Sequence, residues 1–454
     1  METNLKPYEE YKKAKQSWLE KIPTHWSEAK SKRLFIETSI KNHQYEQLLS
    51  ATQSQGVIPR SLLKTRVVMP TGNLDTFKLV KEGNFVISLR SFQGGLEYSK
   101  YRGIVSPAYN ILEERTNQNQ QYYKYLFKSH VFIGELQRNV TGIRQGKNID
   151  VNDFKEIVLP IPPLEEQDKI VTYLDYQLVK INKFIKDKKK LISVLKEQKQ
   201  AVINEAVTKG INQNVKLKSS GIEWVQDIPE HWEITRNKNL LSLRKETVGE
   251  NHVNYKLLSL TTNGIIPRDL DNGKGKFPSD FSTYQKVYVN DLVFCLFDID
   301  ETPRTIGLSN LTGMITGAYT VFKARQSKDY LYYYYLSLDQ KKALKPLYTG
   351  LRKVISTDRF LRVKVPLPPL EEQIEIVSFI KESISKIDST ISNTQREIDL
   401  IIEYKNRLIS DVVTGKVDVR HIMFDNNVNE VDFEEVNEEV IEMEEVLEGE
   451  ECEV

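Results

Sequence analysis

Two histidines are the first candidates for chemistry. His25 and His231 each sit in an Ile-Pro-x-His-Trp stretch, at 22–26 and 228–232. An imidazole titrates near neutrality and is the side chain most often used as a general base. No nucleophile or carboxylate stands out as repeating with them, so both motifs read as anchors where the chain starts a globular unit. Gly142-Ile-Arg-Gln-Gly146-Lys147-Asn148 has the outline of a phosphate loop. It is one residue short between its glycines and carries Asn148 where a metal-binding hydroxyl belongs, so nucleotide hydrolysis is not expected. Phe92-Gln-Gly94-Gly95 lacks the spacing of a methyltransferase glycine loop, and there is no Asn-Pro-Pro-Tyr or Asp-Pro-Pro-Tyr to hold a target adenine. With only Cys295 and Cys452 there is no disulfide framework and no four-ligand zinc set. A reducing cytoplasm is the expected location.

The elements that must position any functional residue are duplicated. Trp18, Ile22, Pro23, His25, Trp26 and Leu34 recur 206 residues later as Trp224, Ile228, Pro229, His231, Trp232 and Leu240. The same step carries 160–208 onto 366–414 without a gap, with 18 identities in 49 positions, including Pro-Pro-Leu-Glu-Glu-Gln in both. Between these frames the match needs small shifts. Gly-Val-Ile-Pro-Arg at 56–60 meets Gly-Ile-Ile-Pro-Arg at 264–268 at a step of 208, and Ala108-Tyr109 meets Ala318-Tyr319 at 210. A scaffold that keeps its packing while its exposed loops diverge gives this pattern.

After each Pro-Pro-Leu-Glu-Glu-Gln, apolar residues recur at alternating steps of three and four. The first seam is Val171, Leu174, Leu178, Ile181, Ile185, Ile192, Leu195, Val202 and Ala206; the second is Val377, Ile380, Ile384, Ile387, Ile391, Ile398, Ile401, Leu408 and Val412. Such a seam predicts a coiled coil, with prolines at the helix start and acids at its positive end. Lys199 and Lys405 occupy equivalent seam positions, so a parallel pair would bury two ammonium groups together. An antiparallel pair, Val171 facing Val412, sets them against Ile384 and Leu178 and lets them snorkel outward, with Lys188 and Thr394 near the middle. The globular parts read as mixed α and β: 84–89 and 291–296 look like buried strands. The tyrosine runs at 122–125 and 330–335 suit helices packing aromatics into a core better than base stacking. The fold class is therefore α+β: two similar globular domains separated by two long antiparallel helices, a pseudo-two-fold duplication. The expected divisions are 1–158, a helix at 159–210, 211–364, a helix at 365–424 and a tail at 425–454.

Net charge is +1, but 425–454 holds 14 acids and no base, leaving 64 bases against 49 acids in the body, or +15. A body so basic suits a polyanion, whose phosphates release counterions when neutralised. The tail reads as a disordered acidic segment able to compete weakly for that basic surface. The longest uncharged apolar run, 157–164, contains three prolines and falls far short of the ~18 residues of a membrane span.

The Ile-Pro-x-His-Trp start, the Pro-Leu-Pro-Pro-Leu-Glu-Glu-Gln helix start and Val-Val-Thr-Gly-Lys-Val-Asp-Val-Arg at 412–420, with the duplication, resemble the specificity (S) subunit of type I restriction-modification enzymes. The resemblance covers about 10–424; the acidic tail departs from it. It implies two target-recognition domains, each reading one half of an interrupted, asymmetric double-stranded DNA site. It also implies two methylation subunits that use S-adenosylmethionine to methylate adenine at N6, and restriction subunits that translocate and cut DNA with ATP and magnesium. No cofactor or metal is expected on this chain, which is expected to be non-catalytic. Arg and Gln make bidentate contacts to guanine and adenine, so the expected readers lie on loops. They are Arg60, Arg90, Gln93, Arg102, Arg144 and Lys147 in the first domain, and Arg268, Lys274, Lys276, Arg304, Arg352 and Lys353 in the second. The basic turns at 142–148 and 350–353 suit phosphate contact. The alternative reading is a coiled-coil scaffold that binds only proteins, which the +15 body disfavours.

Overall fold

The computed structural model describes residues 5–63, 74–138, 140–141, 148–268, 281–349 and 353–422. Arg144, Lys147, Lys274, Lys276 and Arg352, the turn at 142–147 and the acidic tail lie outside the described residues. The chain divides into two compact units. The first holds residues up to Lys189 together with those from Arg396 onward, and the second runs Lys190–Gln395.

Each unit closes on itself where the duplicated ends meet. In the first, the incoming strand Ser27–Lys30 pairs antiparallel with the outgoing strand Val158–Ile161. In the second, Glu233–Arg236 pairs with Lys364–Leu367 in the same way. These two segments carry the invariant 206-residue step because they must fit each other. Beyond them lies a four-stranded antiparallel sheet of one topology in both units. Its order is Phe35–Thr38, Asn110–Glu114, Phe85–Ile87, Glu97–Tyr98 in the first, and Leu241–Leu243, Thr320–Ala324, Asp291–Phe294, Ile306–Leu308 in the second.

A tyrosine helix covers each sheet, Gln120–Lys128 in the first unit and Lys328–Gln340 in the second. Asn119 and Ser327 cap them with side-chain oxygens, as N-cap residues do. Tyr122, Tyr123, Tyr330, Tyr334 and Tyr335 are buried, so the tyrosines build the core as expected. Edge-on ring contacts, such as Phe35 to Tyr123 at 5.2 Å and Phe294 to Tyr335 at 5.0 Å, tie helix to sheet.

The long helices are continuous, Leu164–Lys209 and Leu370–Val413, 46 and 44 residues, hence roughly 69 and 66 Å at ~1.5 Å per residue. Every expected seam residue is buried or half-buried. In the first unit Lys188 pairs with Glu397 at 2.6 Å and Lys405 donates to Asn182 at 3.0 Å; in the second Lys199 pairs with Asp388 at 2.7 Å. In the first unit the partner numbers fall as the others rise, so the helices are antiparallel; in the second, Ile203 and Val207 share a core with Ile376 and Ile380 while Lys199 reaches Asp388, which gives the same direction. Lys199 and Lys405 reach one turn past the expected Ile384 and Leu178, because a lysine stem extends along the groove to the nearest polar group. The Thr394 hydroxyl donates back to the Thr390 carbonyl.

Glu-Glu-Gln locks each helix to its unit. The Gln167 and Gln373 amides, both buried, donate to the Pro162 and Pro368 carbonyls at 2.9 and 2.8 Å. The helix ends are gripped as well: Tyr122 donates to the Val413 carbonyl at 2.8 Å and Tyr330 to the Val207 carbonyl at 3.2 Å. Gly415, at φ 74°, packs so closely that a Cβ would lie 2.5 Å from Pro23. In the first unit the chain returns to its own beginning, with the Asp418 amide donating to the Lys6 carbonyl at 2.8 Å and Arg420 stacked 4.9 Å over Tyr8.

Candidate nucleic-acid interface

The histidine motifs have a partner that the sequence reading missed. His25 Nε2 lies 2.7 Å from Glu166 Oε2, and Trp26 Nε1 donates to Glu166 Oε1 at 2.9 Å. His231 and Trp232 repeat this on Glu372 at 2.8 and 3.0 Å. Contrary to the expectation from sequence, a carboxylate does repeat with the histidines: Glu166 and Glu372 share the 206-residue step, but lie about 140 residues along the chain from their partners. Glu166 also accepts the Tyr8 hydroxyl. Both oxygens are committed to structural donors, which makes this a clamp rather than a catalytic pair. Among the described residues no group of three or more His, Cys, Asp or Glu could hold a metal.

Removing a buried acceptor strands its donors. Glu166→Ala should lower stability by roughly 3 kcal/mol in denaturant titration. Glu372→Ala should cost less, because the Glu372 side chain is 21% exposed against 5% for Glu166.

Two loops in each unit carry or border most of the described expected readers. The first is a hairpin: Leu49–Thr52 with Gly56–Pro59 in the first unit, Leu258–Thr261 with Gly264–Pro267 in the second. The second is the turn joining the third and fourth strands of the sheet. Arg90 and Gln93 are exposed on that turn in the first unit, around a short helix at Ser91–Gly94. Arg304 lies on it in the second and donates to the Thr262 carbonyl at the hairpin tip, 3.0 Å away. Arg60 and Arg268 sit at the other end of the hairpins, their amides donating to the Leu48 and Leu257 carbonyls at 2.9 Å. Arg102 is exposed near that base and paired with Glu46 at 2.8 Å. Lys353 is engaged by Glu301 and, at 3.4 Å, by Asp300. So Arg90 and Gln93 group by the tip, Arg60 and Arg102 by the base, and the second unit repeats this with Arg304 and Arg268.

The units differ in length and charge at these loops. Ten residues separate the paired Val86 and Glu97, but thirteen separate the paired Val293 and Gly307. The hairpin tip has three residues between Thr52 and Gly56, and two between Thr261 and Gly264. Charge differs too, since the second turn carries Asp298, Asp300 and Glu301, which the sequence reading did not single out. The Tyr348 hydroxyl beside Asp300 holds that carboxyl well below the usual range. An acidic side chain can accept from a cytosine amino group.

In the first unit the turn is pinned from beneath. Gly95 takes φ 78° where a Cβ would lie 2.0 Å from the Phe127 carbonyl, so only glycine lets the turn rest on the tyrosine helix. Lys128, the last residue of that helix, pairs with the buried Glu97 at 2.7 Å. Burial pushes Glu97 up to about 7, and Lys128 offsets only part of that. A carboxyl raised from 4.5 to about 7 binds its proton more tightly when folded, so its contribution to stability falls as pH rises through that window. Relative to Glu97→Gln, the native protein should gain about 3 °C in melting temperature between about pH 8 and about pH 5.

Comparison with known proteins follows this duplicated geometry. The family described as type I restriction modification DNA specificity domain matches residues 30–194 and 282–400. The type I restriction enzyme MjaVIII specificity subunit of Methanocaldococcus jannaschii is 27% identical over 378 residues, 76% of this chain and 82% of that protein. The putative type I restriction enzyme MjaX specificity subunit of the same organism is 25% identical over 340 residues, 68% and 72% of the two chains. A chain from a structural study of complex assembly and conformational transition of the type I R-M system superposes with TM-score 0.62 at 13% identity, covering 87% of this chain and 99% of that one. At that identity the likeness is one of fold. With matched regions covering more than half of its length, this chain belongs to the type I restriction-modification DNA-specificity family.

Proposed function

We propose that the chain is the DNA-specificity subunit of a type I restriction-modification complex. Each unit reads one half of a bipartite, asymmetric double-stranded DNA target with its hairpin and turn. The long helices set the spacer between the halves and dock two methylation subunits; restriction subunits join in the full complex. Arg60, Arg90, Gln93 and Arg102 in one unit, and Arg268, Arg304 and Lys353 in the other, are the described residues offered to DNA. Arg144, Lys147, Lys274, Lys276 and Arg352 are further proposed contacts. The observation that carries this reading is the repetition of one loop pair on one sheet topology, with the two copies of the pair differing in length and charge. A surface copied for two different sequences changes in this way while its scaffold holds.

The chemistry belongs to the partners: S-adenosylmethionine on the methylation subunits, ATP and magnesium on the restriction subunits. The setting proposed for the complex is the cytoplasm. Separately, no helix among the described residues is long and apolar enough to cross a membrane. The purified chain should neither methylate nor cut DNA with any combination of those three additions, and methyl transfer should start when methylation subunits are added. Transfer by the chain alone would contradict the reading.

A further inference from the structure

A buried carboxylate and a lysine meet at the end of the tyrosine helix in both units, yet the residues are not equivalent in sequence. In the first unit the lysine ends the helix and the acid is on the sheet. Lys128 Nζ lies 2.7 Å from Glu97 Oε2, and donates to the Gly94 carbonyl at 2.9 Å and the Gln53 carbonyl at 3.1 Å. One ammonium thus joins the turn bearing Arg90 and Gln93 to the hairpin tip. In the second unit the acid is on the helix. Asp339 accepts the Thr305 amide at 2.9 Å and the Thr305 hydroxyl at 2.6 Å, beside Arg304. Lys342 pairs with Asp339 at 2.8 Å and donates to the Thr302 carbonyl in the same turn at 2.7 Å.

We propose that Lys128–Glu97 and Lys342–Asp339 are positioning residues for DNA recognition, each fixing the reading turn of its own unit. This rests on the function proposed above. Three observations converge on it. Glu97 and Asp339 are 1% and 7% exposed, so their charges face the protein and cannot contact DNA. Burial disfavours the ionised form of Glu97, so stability alone does not account for the Lys128–Glu97 pair, whereas a fixed geometry does. The polarity is reversed between units while the target, the backbone of the same turn, is kept. A duplicated ancestor's pair would be expected to retain its polarity, so what recurs is the demand for a rigid turn. Bidentate base contacts supply the reason for that demand, because a guanidinium or amide displaced by about an ångström forfeits one of its two hydrogen bonds.

The test uses the chain assembled with its methylation subunits and reads the methylated motif of the host genome, followed by methylation of duplexes altered at single bases in each half. Glu97→Gln and Lys128→Met should reduce base discrimination in the first unit's half by roughly tenfold, the scale of one base contact, and leave the other half unchanged. Asp339→Asn should do the converse. Lys128→Arg, which keeps charge and donors, should restore discrimination. Melting curves run alongside separate this from a loss of fold. Equal loss in both halves that tracks the melting temperature would make the pairs merely structural and overturn the proposal, as would unchanged discrimination in every variant. A wild-type complex that methylates no bipartite motif would overturn the underlying functional reading, and this proposal with it.

Discussion

Replacing residues of about 35–150 with the corresponding region of another family member changes one half of the methylated motif completely and leaves the other half intact. The expected effect is all or none because the grafted region contains the whole four-stranded sheet, the hairpin, the turn and the tyrosine helix of the first unit. The cut points fall just inside the paired strands Ser27–Lys30 and Val158–Ile161, so the duplicated frame and both long helices remain native. The graft must keep Tyr122 and Gln118 or equivalents, since these reach the Val413 carbonyl and the Gln167 side chain that begins the long helix. Altered bases in both halves would show that the units do not read independently.

The second large effect is geometric. An added helical turn of about four residues in each long helix, near 189–190 and 395–396, lengthens each by roughly 6 Å. That is about two base-pair rises at ~3.4 Å. If the helices set the spacer, it lengthens by one or two base pairs while both half-sites stay the same. These insertion points lie where the chain passes from one compact unit to the other, away from the Glu-Glu-Gln locks and the gripped helix ends. An active complex with an unchanged spacer would remove the helices from that role.

The frame was legible because packing preserves spacing. Strand pairs such as Leu159 with Ala29 and Val365 with Thr235 tolerate no insertion, so one 206-residue step survives across both ends. The helix seam was legible for the same reason, its period being set by helix geometry. Pairing direction followed from where two lysines could not go; their actual partners, Asp388 and Asn182, lay one turn beyond the reach of a seam argument. The Glu166 and Glu372 clamp obeys the repeat and was missed only because its members are far apart in the chain. The Glu97 and Asp339 pairs left no such trace. Their polarity is reversed, so no offset aligns them, and only the folded sheet brings Gln53, Gly94, Glu97 and Lys128 to one point. Arg60 and Arg90 could be chosen by residue type, but their division between hairpin base and tip depends on strand pairings that single residues do not encode.

Bipartite recognition is measured by methylome sequencing of a host expressing this chain with its methylation subunits, against the same host lacking the chain. One new N6-methyladenine motif made of two specified halves separated by unspecified bases is expected. A continuous motif, or methylation unchanged by removal of the chain, would contradict that expectation.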